Sequence, residues 1–172
     1  VIGEFGKTKP WFDEVQLAGG GMASRFKTLP EFSVEQVLSG EQTGSVIALA
    51  FNEFGEILAS REGGPLLLIK DADHNGKPET TTVYCDQVQS CQGILPLNGQ
   101  VLVIGGGPNG AGLYRLGDED GDGKAEKVES LLKFKGEMGE HGPHAITLGP
   151  DGLIYISVGN HTSAERAADP TS

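Results

Sequence analysis

The sequence has little of the features that mark redox, zinc-binding or membrane proteins. Its two cysteines are separated by five residues, which matches neither the C-x-x-C redox spacing nor the paired spacing of a zinc ribbon. No apolar run approaches the roughly 20 residues that span a bilayer. We therefore expect no membrane span in this stretch of chain.

Positive charge is also scarce. The sequence has 13 lysines and arginines against 24 acidic residues, and its formal net charge is -11. Such a surface repels nucleic acid and anionic membranes and attracts cations. We therefore expect no nucleic-acid partner.

The cysteine pair leaves two interpretations open. Cys85 and Cys91 either form a local disulfide, which requires an oxidising compartment, or remain reduced thiols. A bridge here closes a short loop, so it would add at most about 2 to 3 kcal/mol to the free energy of unfolding.

Long stretches with a helical apolar period are missing as well. The 27 glycines and nine prolines instead favour many short strands joined by turns. Residues 1–30 are irregular and are interpreted as a lead-in or linker, and residues 32–38 alternate as a strand does. The abrupt start and end of the chain are interpreted as cuts, so we expect a fragment of a longer protein.

A strand-turn-strand pattern occurs three times, over residues 46–60, 93–104 and 145–156. Its turns centre on Gly55, Asn98-Gly99 and Asp151-Gly152, and Asn-Gly favours a two-residue hairpin. The turn glycines are 44 and 53 residues apart, which is in the range of one propeller blade.

Further strands are predicted between the hairpins, at residues 66–69, 80–84, 112–116 and 128–132. Four strands per repeat indicate a propeller blade. The predicted fold class is all-β: residues 31–172 form an incomplete β-propeller of about two and a half four-stranded blades. A β-solenoid or a sandwich is the structural alternative.

Two acidic loops match the calcium-loop pattern D-x-D-x-D/N-G. Alternate carboxylates on a tightly turned loop converge on one point, and calcium prefers such hard oxygen ligands. The candidate ligands of the second loop are Asp118, Asp120, Asp122, Glu126 and Glu129. Those of the first loop are Asp71, Asp73, Asn75 and Glu79.

Strand-like flanks distinguish these loops from sensor EF-hands, which need helices to open. We expect a structural role for calcium, and weaker binding in the first loop because Asn75 brings no charge. The alternative is two solvated acidic turns that hold no ion.

Histidines flank the third hairpin. His141 and His144 precede it and His161 follows it, and a histidine in such a loop can act as a general base. The alternative is that they only bond loop backbone. The glycine-rich residues 105–110 lack the spacing of a phosphate-binding loop and are interpreted as a flexible inter-strand loop.

With these residues the chain resembles the propeller domain of large secreted membrane-bound dehydrogenases of planctomycetes and related bacteria. The resemblance covers about residues 30–165 and rests on the paired acidic loops, on residues 45–48 and 60–65, and on residues 140–144. It implies a periplasmic or extracellular location, and a cytochrome c domain elsewhere in the full-length protein.

Residues 141–159 are also similar, more distantly, to soluble sugar dehydrogenases that use pyrroloquinoline quinone and have six blades. In those enzymes a histidine eight residues before Gly-Pro-Asp-Gly takes the proton of a sugar hydroxyl, and His141 holds that place here. His144 and Asn160 depart from the pattern. The resemblance implies oxidation of a sugar or alcohol, with the quinone as cofactor.

Two functional hypotheses follow. The complete propeller is either a quinone-dependent dehydrogenase, with His141 and His144 as catalytic candidates, or a non-catalytic, calcium-stabilised module that binds glycans or a protein. The fragment alone is expected to be inactive.

Overall fold

A computed structural model describes residues 26–32, 34–136, 138–139 and 141–164 of the chain. The chain divides between Val37 and Leu38 into two units. Most of the predicted lead-in, residues 1–25, lies outside the described residues. In the described part of the first unit, the backbone N–H of Phe32 donates to the carbonyl of Leu29 over 2.9 Å and so forms a turn.

The predicted strand over residues 32–38 is wrong for the part of it that the structure describes. Residues 32 and 34–38 have no strand conformation, and no described strand pairs with them. An alternating pattern alone does not make a strand, because the backbone groups of a strand need a hydrogen-bonded neighbour.

The second unit contains one short helix and eleven strands among its described residues. They are α1 (Gly40–Thr43), β1 (Val46–Phe51), β2 (Ile57–Arg61), β3 (Leu66–Lys70), β4 (Thr80–Cys85), β5 (Gln89–Leu97), β6 (Gln100–Gly107), β7 (Gly110–Gly117), β8 (Lys127–Lys135), β9 (Pro143–Leu148), β10 (Ile154–Val158) and β11 (Ser163–Ala164). The unit is therefore all-β apart from one helical turn, and no described helix is long and apolar enough to cross a membrane.

The strands form three antiparallel sheets. The first sheet has the order β1-β2-β3-β4, the second β11-β8-β7-β6-β5, and the third is the hairpin β9-β10. Strands β1 to β4 and strands β5 to β8 thus each form a four-stranded meander in chain order. The three predicted hairpins are confirmed. Asn98 and Gly99 have φ angles of 53° and 73°, as the tight turn between β5 and β6 requires.

The second sheet is covered on both faces. Val101 and Val103 of β6 belong to a buried cluster shared with the first sheet, whereas Leu102 and Ile104 belong to a cluster shared with β9. Successive side chains of a strand point to opposite faces, so one run of four apolar residues serves two interfaces. Strand β5 contacts β1 and β2, and β9 contacts β5 and β6.

The glycine-rich stretch is not a flexible loop, so that interpretation is wrong. Residues 105–107 end β6 and Gly110 begins β7, which leaves only a two-residue turn. A Cβ atom on Gly107 would lie 2.6 Å from the ring of Tyr114. The glycine makes room for this ring, whose hydroxyl donates to the carbonyl of Gly110 over 2.7 Å and accepts the N–H of Asn109 over 3.0 Å.

Both cysteines are buried free thiols, so the structure favours the reduced alternative. Cys85 ends β4 and Cys91 lies in β5. Burial, together with the nearby Cys85, raises the pKa of Cys91 to about 12. The thiol therefore stays protonated and unreactive at neutral pH.

Candidate metal centre

The second acidic loop connects β7 to β8, and Asp118 organises it. The two carboxylate oxygens of Asp118 accept the backbone N–H groups of Gly121 over 2.7 Å and Gly123 over 2.9 Å. Both glycines have positive φ angles, 78° and 91°, which favour glycine. The chain therefore turns around one fixed carboxylate.

Three further carboxylates in this loop are also held by backbone groups. Asp120 accepts the N–H of Asp122 over 3.1 Å, and Asp122 accepts that of Lys124 over 2.8 Å. Glu126 accepts the N–H of Glu119 over 2.9 Å. One carboxylate oxygen from each of four residues lies within 4.8 Å of the others; the residues are Asp118, Asp120, Asp122 and Glu126.

The first acidic loop connects β3 to β4 and repeats this pattern 47 residues earlier. Asp71 accepts the N–H of Gly76 over 2.7 Å, and Asp73 accepts that of Asn75 over 3.1 Å. Asn75 accepts the N–H of Lys77 over 2.8 Å, and Glu79 accepts the N–H of Ala72 over 2.8 Å. Oxygens of Asp71, Asp73 and Glu79 form the second cluster.

The Asp71 carboxylate is stabilised in its charged form. Desolvation raises its pKa, but hydrogen bonds from the N–H groups of Gly76 and Asn75 outweigh this effect and lower the pKa below the ordinary value of 3.8. Asp71 is therefore a ready acceptor for a cation at neutral pH.

The two loops differ in their surroundings. A Cβ atom on Gly123 would lie 3.2 Å from the Leu68 side chain and 3.3 Å from Nζ of Lys70, whereas one on Gly76 would meet nothing within 4 Å. The N–H of Ala125 also donates to the carbonyl of Tyr84 over 2.7 Å. The second loop thus packs against the first sheet, while the first loop is open.

Glu129, the predicted ligand at position 12, is not among the four clustered carboxylates. It lies in β8, where it accepts Nε of Arg115 over 3.1 Å and also pairs with Nη2 of the same residue. The hydrogen bond from Arg115 lowers the pKa of Glu129. The structure therefore places this carboxylate in a cross-strand ion pair.

The structure brings together His141 and His161. Their ring centroids are 4.7 Å apart with the planes tilted by 48°, and both residues are exposed. The N–H of Gly159 donates to the carbonyl of Gly142 over 2.7 Å and joins the two loops. His144 lies inside β9 and is half-buried.

A cavity of about 400 Å³ lies beside the second loop. The first sheet, the β5–β6 turn and the loop itself line it, with Glu53, Lys70, Tyr84 and Asp118 among the lining residues. Burial, followed by the charge of Asp118, raises the pKa of Tyr84 to about 12. Sequence reasoning missed this cavity because its walls come from segments far apart in the chain.

The fold and these clusters define a class: an all-β protein of stacked antiparallel sheets whose acidic turns could hold metal ions. The sequence profile of a domain of unknown function, DUF7133, matches residues 22–171, and the chain belongs to this family. No curated protein and no solved structure matches the chain significantly. The family description gives no link to dehydrogenases, so that resemblance stays a prediction.

Proposed function

We propose that the chain is part of a calcium-stabilised β-propeller in which each acidic loop binds one Ca²⁺. One observation carries the proposal. Two loops at the same place in successive sheets hold their carboxylates with the same backbone hydrogen bonds, 47 residues apart. Carboxylates that face one point repel one another unless a cation lies between them, and both loops keep their carboxylate oxygens within 4.8 Å of one another.

The donor set fits calcium. Calcium takes six to eight oxygen ligands and accepts flexible geometry. Carboxylates that are already turned toward one point need little rearrangement, and a bound cation relieves the repulsion among them. Bidentate carboxylates and water can complete the ligand shell.

The second loop should bind calcium more tightly than the first. Its cluster has four carboxylates against three, and Asp122 replaces the neutral Asn75. Ligand charge raises affinity. Packing of Gly123 against Leu68 and Lys70 also fixes the second loop before the ion arrives.

Calorimetric titration of the calcium-free protein tests this proposal. We expect two sites of different affinity, with Asp118→Asn removing the tighter site and Asp71→Asn the weaker one. Calcium at about 100 times the dissociation constant should add about 2.7 kcal/mol to the stability, which corresponds to a melting-temperature rise of about 5 to 10 °C.

Asp86→Asn is the matched control, because it removes one exposed charge that belongs to neither cluster. It should leave both sites intact. If Asp118→Asn and Asp71→Asn bind calcium as Asp86→Asn does, or if calcium raises the melting temperature no more than sodium at equal ionic strength, the loops are acidic turns without an ion.

The propeller part of the proposal rests on the repeat. Two successive four-stranded antiparallel meanders and the hairpin of a third unit pack face to face in chain order. Propeller blades have this strand order. We propose a periplasmic or extracellular location together with calcium binding.

The dehydrogenase hypothesis is the second candidate. It is favoured by the exposed imidazole of His141, next to His161, since an exposed imidazole can take a proton from a sugar or alcohol hydroxyl. Quinone binding and a cytochrome c partner stay predictions of the resemblance. A non-catalytic glycan- or protein-binding role uses the same calcium-stabilised scaffold.

A further inference from the structure

The two imidazoles of His141 and His161 form a pair outside the acidic loops. Both residues are exposed, and neither ring has a hydrogen bond to any residue that the structure describes. The carboxylate clusters found among the described residues include neither histidine. The ring nitrogens of this pair are therefore open to a ligand from solution.

The tilt of the rings distinguishes this pair from a parallel stack. The lone pair of an imidazole nitrogen lies in the plane of its ring. In a parallel stack the two planes never meet, so two stacked rings cannot hold one ion between them. The planes here are tilted by 48° and do meet, so one point can lie in both.

The distance between the rings also fits a shared metal ion. A metal bound at about 2.0 to 2.1 Å from a ring nitrogen lies about 3.2 Å from the centroid of that ring. Centroids 4.7 Å apart then subtend about 95° at the metal. This angle lies between the right angle of octahedral coordination and the wider angle of tetrahedral coordination.

Close backbone packing holds the two histidines in these positions. Any side chain on Gly159 would collide with the carbonyl of His141, and any side chain on Gly136 would collide with that of His161. The N–H of Gly159 also donates to the carbonyl of Gly142 over 2.7 Å. The two loops are thus fixed against each other, and the rings need little rearrangement to bind an ion.

We propose that His141 and His161 together bind one divalent transition-metal ion, such as Zn²⁺, through one nitrogen of each ring. Imidazole nitrogen is a preferred ligand of zinc, copper and nickel, and the net charge of -11 attracts cations. Among the described residues no third Asp, Glu, His or Cys joins the pair, so water completes the ligand shell. The ion would keep open positions, as catalytic zinc sites do.

This site is distinct from both functions proposed above. Calcium prefers hard oxygen ligands and does not compete for imidazole nitrogen. A nitrogen of His141 that holds a metal ion cannot at the same time take a proton from a sugar hydroxyl. Metal binding therefore assigns the pair a role other than the general base of the dehydrogenase hypothesis.

Calorimetric titration of the 172-residue chain with Zn²⁺ tests the proposal, with excess calcium present to occupy the acidic loops. We expect one zinc ion per unaltered chain. His141→Gln and His161→Gln should each lower the affinity by at least about tenfold, because the second imidazole adds to the first through its effective concentration. His74→Gln is the matched control, since it removes an exposed imidazole from another loop, and it should leave the affinity unchanged.

The imidazole ¹⁵N NMR signals of the four histidines identify the ligands directly. Zinc should shift the ring nitrogens of His141 and His161 and leave those of His74 and His144 in place. This measurement uses the unaltered chain, so it decides the question even if a substitution disturbs the loops.

No zinc binding by the unaltered chain, equal affinity in all three variants, or NMR shifts confined to the other two histidines would each overturn the proposal. Zinc that binds the acidic loops would be retained in His141→Gln and His161→Gln. A loss of affinity in these two variants and not in His74→Gln therefore supports the site, whether or not the loops bind calcium.

Discussion

His74 adopts a left-handed backbone conformation, and the residue at the same position of the second loop is a glycine. Its φ angle is 58°, and Gly121, 47 residues later, has a φ angle of 78°. The left-handed region costs a residue with a side chain about 1 to 2 kcal/mol, whereas glycine loses about 0.5 to 1 kcal/mol through the greater freedom of its unfolded chain. We expect His74→Gly to stabilise the protein by about 0.5 to 1 kcal/mol.

The reverse substitution is the matched control. Nothing lies within 4 Å of a Cβ atom placed on Gly121, so Gly121→His introduces backbone strain without a clash and should destabilise by a similar amount. Thermal unfolding in EDTA should shift by about 1 to 4 °C, upward for the first variant and downward for the second.

The salt concentration of this assay matters because the charge of His74 lowers the pKa of Asp71. At about 1 M salt the interaction between these two groups is screened, so the comparison reports mainly the difference in backbone strain. If His74→Gly lowers the melting temperature under these conditions, or if both variants shift it in the same direction, the strain argument is refuted.

The remaining predictions concern one buried hydroxyl and one ion pair. Tyr114→Phe removes the hydrogen-bond donor to the Gly110 carbonyl and should lower the free energy of unfolding by about 1 kcal/mol. Tyr155 is exposed and donates an equally short bond to Asp151, so Tyr155→Phe should lower it by under about 0.5 kcal/mol. Equal losses in urea unfolding would contradict the role of burial. Arg115 holds the folded-state pKa of Glu129 below 4.5, so the pair stabilises the protein above about pH 4.5 and this contribution is lost as the pH falls through the lowered pKa. Any stability gap between the unaltered protein and Glu129→Gln should therefore shrink from pH 7 to pH 3, and a gap that stays constant in denaturant titrations would exclude this linkage.

Local patterns predicted most of the strands because each has a local cause. The pair Asn98-Gly99 can adopt the positive φ angles of a tight turn, and apolar runs on either side supply paired strands. The same reasoning failed for residues 32–38, where alternation is present but no described strand pairs with the segment. It also missed β11, whose two residues Ser163–Ala164 pair with β8 and carry no pattern of their own.

The glycine-rich stretch shows a different limit. Composition suggested a mobile loop at residues 105–110, but the glycines there accommodate the ring of Tyr114. A run of glycines in the sequence shows where side chains are absent, but it does not show which other residue fills that space in the fold. Only the fold places Tyr114 over this turn.

The acidic loops were predictable as far as their ligands are local. The clustered carboxylates come from one short segment each, so spacing alone brought them together, whereas Glu129 lies beyond the turn and its neighbour Arg115 is on another strand. Whether position 12 reaches the loop depends on where the strand begins, and β8 begins at Lys127.

The two acidic loops have similar local hydrogen bonds but different surroundings, so bound calcium would stabilise different parts of the fold. Their shared hydrogen bonds follow from shared sequence, but only the second loop lies against another sheet, through Gly123 and the bond from Ala125 to Tyr84. Pro78 stands at the position of Ala125 in the first loop and has no N–H to donate. A cation in the second loop would therefore brace two sheets at once, whereas one in the first loop would stabilise a single turn.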